Sequence, residues 1–301
     1  MKIVLFGSSG LLGTSLKNKL RDLGIQTVAP SSKETNFLVP NEARSLLSRE
    51  MPDIIINAAA YTDVNAAENN FEKAVSINCT AVKEISEFTS DQNRLLVHYS
   101  TDFVFDGTKA TPYKETDKTK PQNKYGESKF LGEQAIIRSG CRNFIFRTSW
   151  LYGHNSKNFA SQILEQAKKN DPIKAVYDKI GSPTHVDVLS DISLSCLLLY
   201  QANKGSDIHE DIHGIYHLAC EGAASRYEFA QALINEGIKL NMFSDKKLNK
   251  LFAIHSNEFK SLIQRPDYSA LCCSKLIETF GINIPNWQSQ VAGYVKKQRE
   301  N

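Results

Sequence analysis

Tyr125 and Lys129 are four residues apart in the run Tyr-Gly-Glu-Ser-Lys, a spacing that places two side chains on one face of a helix. A lysine ammonium close to a phenol favours the ionised phenol, so the pKa of Tyr125 is predicted to fall from about 10 towards neutral pH. Such a tyrosine can exchange a proton with a carbonyl or an alcohol. The alternative is a tyrosine packed under a solvated lysine, and the surrounding elements must decide between the two.

The N-terminus has the pattern of a phosphate-binding loop. An apolar strand at residues 2–6 is followed by Gly-Ser-Ser-Gly-Leu-Leu-Gly at 7–13 and then by a helix with leucines at helical spacing. The glycines let the backbone turn tightly and approach a pyrophosphate, and the helix N-terminus supplies free N–H groups. The pattern predicts a dinucleotide site rather than a merely structural turn, formed by Gly7, Ser9, Gly10, Leu11, Leu12 and Gly13.

The segment after the second predicted strand, at residues 26–29, bears on which nicotinamide cofactor is used. Ser31, Ser32 and Lys33 can receive a 2′-phosphate. Glu34 is close enough to hold ribose hydroxyls instead, as an acidic residue does in many NAD sites. The sequence favours NADPH, with NADH as the alternative, and a polar surface loop would explain the same residues.

Two further predicted strands end in small or hydroxyl-bearing side chains. Ligands of open α/β sheets lie beyond the carboxyl ends of the strands. The strand that begins at Asp53 is therefore predicted to border the cofactor through Asn57, Ala58, Ala59 and Ala60. The next strand ends at Ser100 and Thr101, which are candidates to hydrogen-bond a substrate carbonyl, unless their hydroxyls only satisfy local backbone groups.

Strands and helices alternate through the first half of the chain, which predicts an α/β fold with a doubly wound parallel sheet. The segment 173–199 continues that pattern, whereas a polar excursion at 204–214 interrupts it. The region from 221 onwards does not resemble the first half. The predicted organisation is interleaved: residues 1–153 and 171–220 form a dinucleotide-binding domain, and residues 154–170 and 221–301 form a smaller C-terminal α/β substrate domain.

The composition excludes several classes of protein. The 301-residue chain is 41% hydrophobic and 23% charged, as is ordinary for a globular protein. A net charge of +3 without a long basic run gives no reason to expect a nucleic acid partner. The apolar runs are too short to span a membrane and the glycine loop starts too early for a signal peptide, so we expect a cytoplasmic protein. The six cysteines lack zinc-site spacing and are expected to be free thiols.

Taken together, the motifs resemble the extended short-chain dehydrogenase/reductase family, and within it most of all the dTDP-4-dehydrorhamnose reductases. The resemblance implies a Rossmann-type fold. The matching motifs follow the family's order over nearly the whole chain, at residues 7–13, 57–62 with Glu68, 100–107, 125–129 with 132–133, 147–153, 158–159, 181–184, 214–217 and 265–266.

The resemblance also implies roles for particular residues. The catalytic residues would be Thr101, Tyr125 and Lys129, with the last two also binding the cofactor. The implied substrate pocket is formed by Thr62, Val64, Ser100, Phe103, Trp150, Asn158 and Arg265. An arginine can pair with a pyrophosphate, and an aromatic wall can hold the apolar face of a deoxysugar. Core packing for Trp150 and a surface ion pair for Arg265 are the alternatives.

The chain departs from the family pattern at positions that bear on the substrate and on metal binding. Phe103 stands where the family usually has tyrosine, and Asn65 where it often has aspartate. Some members hold a magnesium ion between subunits through two glutamates, and this chain has Ser15 and Asp187 at those places. We therefore expect no metal, and either a monomer or a homodimer.

The function implied by the resemblance is NAD(P)H-dependent reduction of the 4-keto group of a nucleotide-linked 6-deoxysugar, dTDP-4-dehydro-L-rhamnose to dTDP-L-rhamnose. One alternative is a reductase of another nucleotide keto-sugar. Another is an epimerase or dehydratase, although the Asp-Glu pair of such dehydratases is missing after Thr101. A third is a non-catalytic NADP-binding regulatory subunit, similar to the regulatory β subunit of methionine adenosyltransferase. The intact set of Thr101, Tyr125 and Lys129 favours an enzyme.

Overall fold

The computed structural model describes residues 1–154, 156–169, 171–203, 212–258 and 263–300. Its centre is a six-stranded parallel sheet, which confirms the predicted α/β doubly wound fold. The strands are β1 (Lys2–Phe6), β2 (Gln26–Val28), β3 (Ile54–Asn57), β4 (Leu95–Thr101), β5 (Arg142–Thr148) and, much later in the chain, β10 (Gly214–His217). Their order is β10-β5-β4-β3-β1-β2, so the chain reverses its direction of travel across the sheet between β1 and β3.

Helices connect the strands and cover both faces of the sheet. They are α1 (Leu11–Asp22), α2 (Glu42–Glu50), α3 (Val64–Asn69), α4 (Phe71–Val75), α5 (Ala81–Asp91), α6 (Lys124–Ser139), α7 (Phe159–Lys168), α8 (Val186–Ala202), α9 (Arg226–Lys239), α10 (Ser274–Phe280) and α11 (Trp287–Glu300). A π-helical turn at Ser76–Thr80 joins α4 to α5. Within the described ranges, no helix is both long enough and apolar enough to cross a bilayer.

Alternate residues of the central strands belong to two different cores, because successive side chains of a strand point to opposite faces. Ile3 and Leu5 of β1 pack in the core that includes α1 and α8, whereas Val4 and Phe6 pack in the core that includes α2 and α5. All four side chains are at most 2% exposed. A strand buried on both faces has a continuous apolar sequence, which explains why β1 shows no polar alternation.

Three two-stranded ladders lie outside the central sheet. β6 (Leu151–Tyr152) pairs with β9 (Thr184–His185), β7 (Ile173–Val176) pairs with β12 (Leu251–Ile254), and β8 (Ile180–Gly181) pairs with β11 (Ala224–Ser225). Each ladder therefore joins a middle segment of the chain to a later one.

The position of β7 differs from the prediction that residues 171–220 belong wholly to the dinucleotide-binding domain. β7 runs parallel to β12 of the C-terminal region, with Ile173 and Ala175 buried, whereas β10 occupies the edge of the central sheet beyond β5. Helix α8 of the same range packs on α1. A short apolar strand has the same sequence pattern in either sheet, so the sequence could not reveal its partner. Residues 204–211 of the predicted polar excursion lie outside the described residues.

Candidate active site

A cleft of about 820 Å³ opens at the carboxyl ends of β1, β3, β4 and β5. Parallel α/β sheets offer this position to ligands, beside the reversal between β1 and β3. Both the predicted cofactor residues and the predicted substrate residues contribute to its walls. The predicted residues that line it are Gly7, Ser9, Gly10, Leu11, Leu12, Ser31, Ser32, Ala58, Ala59, Ala60, Thr62, Val64, Ser100, Thr101, Phe103, Tyr125, Lys129, Trp150 and Asn158.

The glycine loop forms a cradle that has no room for side chains. Gly7 has a φ of +77°, and a Cβ there would lie 2.4 Å from the Ala59 nitrogen. A Cβ on Gly13 would lie 1.9 Å from the Gly7 carbonyl oxygen. Helix α1 begins directly after Gly10, which has no side chain to cap its first turn, so N–H groups of that turn remain for a ligand. A backbone cradle at a helix N-terminus fits the pyrophosphate of a dinucleotide.

Gly13 and Asn57 do not line the cleft, in contrast to the prediction that they contact the cofactor. Gly13 lies under the loop, against Gly7. Asn57 is buried, with its Nδ2 3.2 Å from His98 Nδ1, and its Oδ1 accepts a hydrogen bond from the Ala59 N–H at 3.1 Å. Both residues therefore support the wall from behind.

The far end of the cofactor wall carries an acidic group as well as the predicted serines. The Ser31 N–H donates to Glu34 Oε2 at 2.8 Å, and hydrogen bonds from Ser31 hold the pKa of Glu34 below its usual value. The loop therefore presents a carboxylate that ribose hydroxyls could contact, together with the serines that could receive a 2′-phosphate. Residues 35–38 line the same wall, and sequence reasoning missed them because a loop without a motif gives no signal.

Helix α6 begins with its site residues fixed against the turn that follows β4. Asn123 caps the helix, accepting a hydrogen bond from the Gly126 N–H at 2.8 Å. A Cβ on Gly126 would lie 2.2 Å from the Phe103 carbonyl oxygen, so only glycine permits this approach. The Tyr125 ring meets the Phe103 ring edge-on, with the centroids 5.9 Å apart. The departure to phenylalanine at 103 thus leaves an apolar wall beside the tyrosine.

The prediction that Lys129 lowers the pKa of Tyr125 is wrong for this structure. Burial raises the pKa of Tyr125 to about 12, the Thr101 hydroxyl lowers it and the Asp102 carboxylate raises it. Lys129 is 2% exposed, and burial lowers its own pKa to about 8. Its Nζ donates to the Tyr99 carbonyl oxygen at 2.6 Å. Helical spacing predicts proximity, but it does not predict the burial that sets these pKa values.

His98 connects Lys129 to the wall behind the cleft. Its Nε2 lies 3.3 Å from Lys129 Nζ, and its other ring nitrogen faces Asn57. Burial and the charge of Lys129 hold the pKa of His98 well below its ordinary value, so the ring is neutral at neutral pH. Sequence reasoning missed His98, and a histidine inside an apolar strand was its only signal.

The Asp102 carboxylate accepts hydrogen bonds from three hydroxyl groups that lie on separate segments of the chain. Its Oδ1 accepts from Thr101 Oγ1 at 3.1 Å, and its Oδ2 accepts from Ser149 Oγ at 3.1 Å and from Ser269 Oγ at 2.6 Å. Burial raises the pKa of Asp102, and the hydrogen bonds from Ser269, Thr101 and Ser149 lower it. This buried carboxylate fixes the Thr101 hydroxyl and ties the C-terminal region to the end of β4. Sequence reasoning gave it no role.

The two candidate hydroxyls at the end of β4 differ in what they already bind. Thr101 Oγ1 donates to Asp102 and accepts from the Phe103 N–H at 3.2 Å, as the local-bonding alternative predicted. Ser100 Oγ is buried and has no hydrogen-bond partner among the described residues. Ser100 therefore has the freer hydroxyl for a ligand.

Trp150 is held in an unusual conformation between two segments. Its φ of 46° lies in the left-handed region that residues other than glycine rarely adopt. A Cβ on Gly181 would lie 2.4 Å from Trp150 Cε2, so the indole packs directly on that backbone. The guanidinium carbon of Arg226 lies 3.6 Å from the ring centroid. The structure thus places Trp150 in the cleft, with a cation covering one face of the indole. Arg226 was missed by sequence reasoning.

The last two predicted substrate residues have other partners. Asn158 caps α7, accepting from the Ser161 N–H at 3.1 Å, and its Nδ2 donates to the carbonyl oxygens of Gly153 at 2.7 Å and Ser156 at 2.9 Å. These bonds use both amide hydrogens, so the placement does not support substrate contact through them. Arg265 is exposed and outside the lining residues of the cleft, with its Nη2 3.4 Å from Asn65 Oδ1.

Comparisons with known proteins agree with this geometry. Residues 1–300 match the family described as "RmlD substrate binding domain". The chain is 35% identical to the dTDP-4-dehydrorhamnose reductase of Escherichia coli (strain K12) over 292 residues, which cover 96% of this chain and 95% of that protein.

Solved structures show the same similarity. A dTDP-4-dehydrorhamnose reductase from Clostridium acetobutylicum ATCC 824 superposes with a TM-score of 0.88 at 27% identity, covering 99% of this chain and 100% of that chain. The one from Bacillus anthracis str. Ames, solved in complex with NADP, gives a TM-score of 0.87 at 28% identity, covering 98% and 99%. The sequence motifs, the fold and these matches together establish that the chain belongs to the RmlD substrate binding domain family.

Proposed function

We propose that this protein catalyses the NADPH-dependent reduction of the 4-keto group of dTDP-4-dehydro-L-rhamnose to dTDP-L-rhamnose. The observation that carries the proposal is the meeting of Thr101, Tyr125 and Lys129 in the same cleft as a glycine cradle. A proton donor beside a dinucleotide site suits the reduction of a carbonyl. The name of the Escherichia coli relative supports the substrate, and the NADP complex of the Bacillus anthracis structure supports the cofactor.

The residues present fit a dinucleotide. We assign the pyrophosphate to the loop from Gly7 to Gly13, whose missing Cβ atoms leave the cradle open. Ser31 and Ser32 are assigned to the ribose end, and Lys129 to the nicotinamide end. NADPH, when bound, supplies the hydride that reduces the carbonyl carbon.

Tyr125 is the proton donor in this mechanism. The raised pKa of Tyr125 keeps the phenol protonated at neutral pH, so a proton is available to the oxygen as it gains negative charge. Lys129, whose pKa of about 8 leaves it charged at neutral pH, is assigned to hold the ribose of the nicotinamide. We assign the Ser100 hydroxyl, which has no partner among the described residues, to orient the carbonyl, with Thr101 fixed beside it by the hydrogen bond to Asp102.

Further parts of the proposal concern organisation. We propose a cytoplasmic monomer or homodimer without a structural metal. Ser15 Oγ donates to Asp187 Oδ1 at 2.7 Å, which supports a protein contact rather than a metal site there. We also propose the interleaved domains 1–153 with 171–220 and 154–170 with 221–301, except that β7 joins the second.

The test is turnover of dTDP-4-dehydrorhamnose, followed by the absorbance of NADPH and, separately, of NADH. Tyr125→Phe should lower turnover by about 10²- to 10⁴-fold, because it removes the general acid. Its affinity for NADPH should fall far less than turnover does, since the glycine cradle is intact. Tyr177→Phe, at a tyrosine that is 49% exposed, is the matched control and should retain full turnover.

Each outcome discriminates between functions. Full turnover by a folded Tyr125→Phe variant would reject the assigned proton donor. An unsubstituted protein that binds NADPH tightly but reduces neither this sugar nor other nucleotide keto-sugars would favour the regulatory subunit. A pull-down for a stable partner enzyme would then follow.

A further inference from the structure

Arg226, the first residue of α9, brings a positive charge to the substrate end of the cleft. Its guanidinium carbon lies 3.6 Å from the centre of the Trp150 ring and 4.8 Å from the centre of the Phe159 ring. Among the described residues it forms neither a hydrogen bond nor a salt bridge. Stacking on aromatic rings is therefore what holds this guanidinium in place.

The stacked geometry leaves the polar edge of the guanidinium available. A guanidinium that lies over a ring presents its face to the ring, while its N–H donors point outward in its own plane. Arg226 is only partly exposed, and partly buried donors without partners cost free energy. A ligand in the cleft is the natural partner for these donors.

The charges around Arg226 do not neutralise it. Burial lowers the pKa of Arg226 to about 9, the charge of Arg265 lowers it and Asp102 raises it. The Asp102 carboxylate already accepts hydrogen bonds from three hydroxyl groups. Arg226 is charged at neutral pH and has a second arginine nearby, so the potential at this end of the cleft favours an anion.

We propose that Arg226 binds the diphosphate of the nucleotide-linked substrate, and that Trp150 positions Arg226 for this contact. The inference rests on the proposed function, because it takes a nucleotide-linked sugar as the ligand. A guanidinium can bind two phosphate oxygens at once, which fixes the direction of the ligand as well as its affinity. The sugar then extends from Arg226 towards Thr101 and Tyr125, which line the same cleft.

The test is calorimetric titration of the NADPH-loaded protein with dTDP, a measurement that needs no turnover. Arg226→Gln should bind dTDP about 10- to 100-fold more weakly, the loss expected for hydrogen bonds to a charged group. Its affinity for NADPH should be unchanged. Arg226→Lys should recover part of the dTDP affinity, because it keeps the charge but loses the planar fork. Arg21→Gln, at an arginine side chain that is 72% exposed, is the matched control.

Several results would overturn the proposal. These are an unchanged dTDP affinity in Arg226→Gln, or no binding of dTDP by the unsubstituted protein. A higher KM for the keto-sugar with unchanged dTDP affinity would also overturn it, since Arg226 would then contact the sugar. If Arg226→Gln fails to fold, as judged by thermal unfolding, Arg226→Lys carries the same comparison. The diphosphate site and the proposed function can also be separated. If Arg226→Gln binds dTDP more weakly but the unsubstituted protein does not reduce dTDP-4-dehydrorhamnose, the diphosphate site is supported and the proposed function is rejected.

Discussion

The cofactor end and the substrate end of the cleft are formed by different parts of the residues that line them. The cofactor end is shaped by backbone and by the absence of side chains, above all at Gly7 and Gly13 and at the alanines 58–60. The substrate end is shaped by large side chains, with Arg226 stacked on Trp150. The first set lies in two short runs of sequence, whereas the second comes from segments far apart in the chain.

This difference determines how each end responds to substitution. A backbone cradle works by steric exclusion, so one added methyl group displaces the whole loop. A wall of side chains can change one group at a time, and each change alters affinity or specificity by a limited factor. The cofactor end is therefore expected to be intolerant of substitution. At the substrate end, single substitutions are expected to change affinity or specificity without loss of the site.

The largest effect should come from Gly13→Ala. Its Cβ would lie 1.9 Å from the Gly7 carbonyl oxygen, and that contact can be relieved only by moving the backbone of the loop. Overpacking of this kind costs about 1–3 kcal/mol. We expect NADPH to bind about 10- to 100-fold more weakly, measured by fluorescence titration.

Gly293→Ala is the matched control for that substitution. A Cβ at Gly293 would meet no atom within 4 Å, and this glycine lies inside α11. The control should leave NADPH affinity unchanged and slightly raise thermal stability, as alanine does in helices. If Gly13→Ala and Gly293→Ala bind NADPH with equal affinity, the expectation that the cofactor end is intolerant of substitution is wrong.

A smaller effect is expected from titration of Lys129, which lies where the two ends meet. Burial lowers the pKa of Lys129 to about 8, so its charge is present below pH 8 and is lost as the pH rises through that value. The value of kcat/KM should fall above pH 8, by about tenfold per pH unit. The pKa of Tyr125, at about 12, is too high to cause this decrease. In Lys129→Arg, kcat/KM should no longer decrease between pH 8 and pH 10. If the decrease persists in that variant, a group other than Lys129 causes it.

The smallest effect is expected at Ser269, which donates to Asp102 from the C-terminal region at 2.6 Å. Ser269→Ala should lower kcat/KM by about 3- to 10-fold, as expected for one hydrogen bond. Loss of that donor raises the pKa of Asp102 further. If the ionised Asp102 is needed for turnover, the decrease of kcat/KM at low pH, which we call the acid limb of the pH profile, should therefore move to higher pH. Ser289→Ala, at an exposed serine, is the control. An unchanged acid limb would show that Asp102 acts only structurally.

The cofactor end was largely predictable from the sequence. A strand, three spaced glycines and a helix specify a local backbone path, and the structure has that path between β1 and α1. The parallel sheet followed from the alternation of strands and helices. The roles given to Gly13 and Asn57 were the exception, because a motif does not distinguish residues that line a wall from residues behind it.

The substrate end was predictable only in part. The sequence Ser-Arg-Tyr-Glu at 225–228 is typical of a capping box, and in the structure Ser225 Oγ accepts from the Glu228 N–H at 3.1 Å at the start of α9. The contact of Arg226 with Trp150 was not predictable, because it requires β11 to pair with β8. The pKa of Tyr125 was predicted in the wrong direction for a similar reason. Burial is a property of the whole fold, whereas helical spacing is a property of a few residues.

The late position of β10 has a consequence for synthesis. The first five strands of the central sheet are complete at Thr148, but the strand that covers the edge of β5 ends only at His217. Until then, a nascent chain lacks the neighbour of a strand that contains Phe144 and Phe146. Unpaired apolar strand edges promote aggregation. At roughly 5–20 residues per second the ribosome leaves this edge uncovered for several seconds, an interval in which a chaperone could bind it.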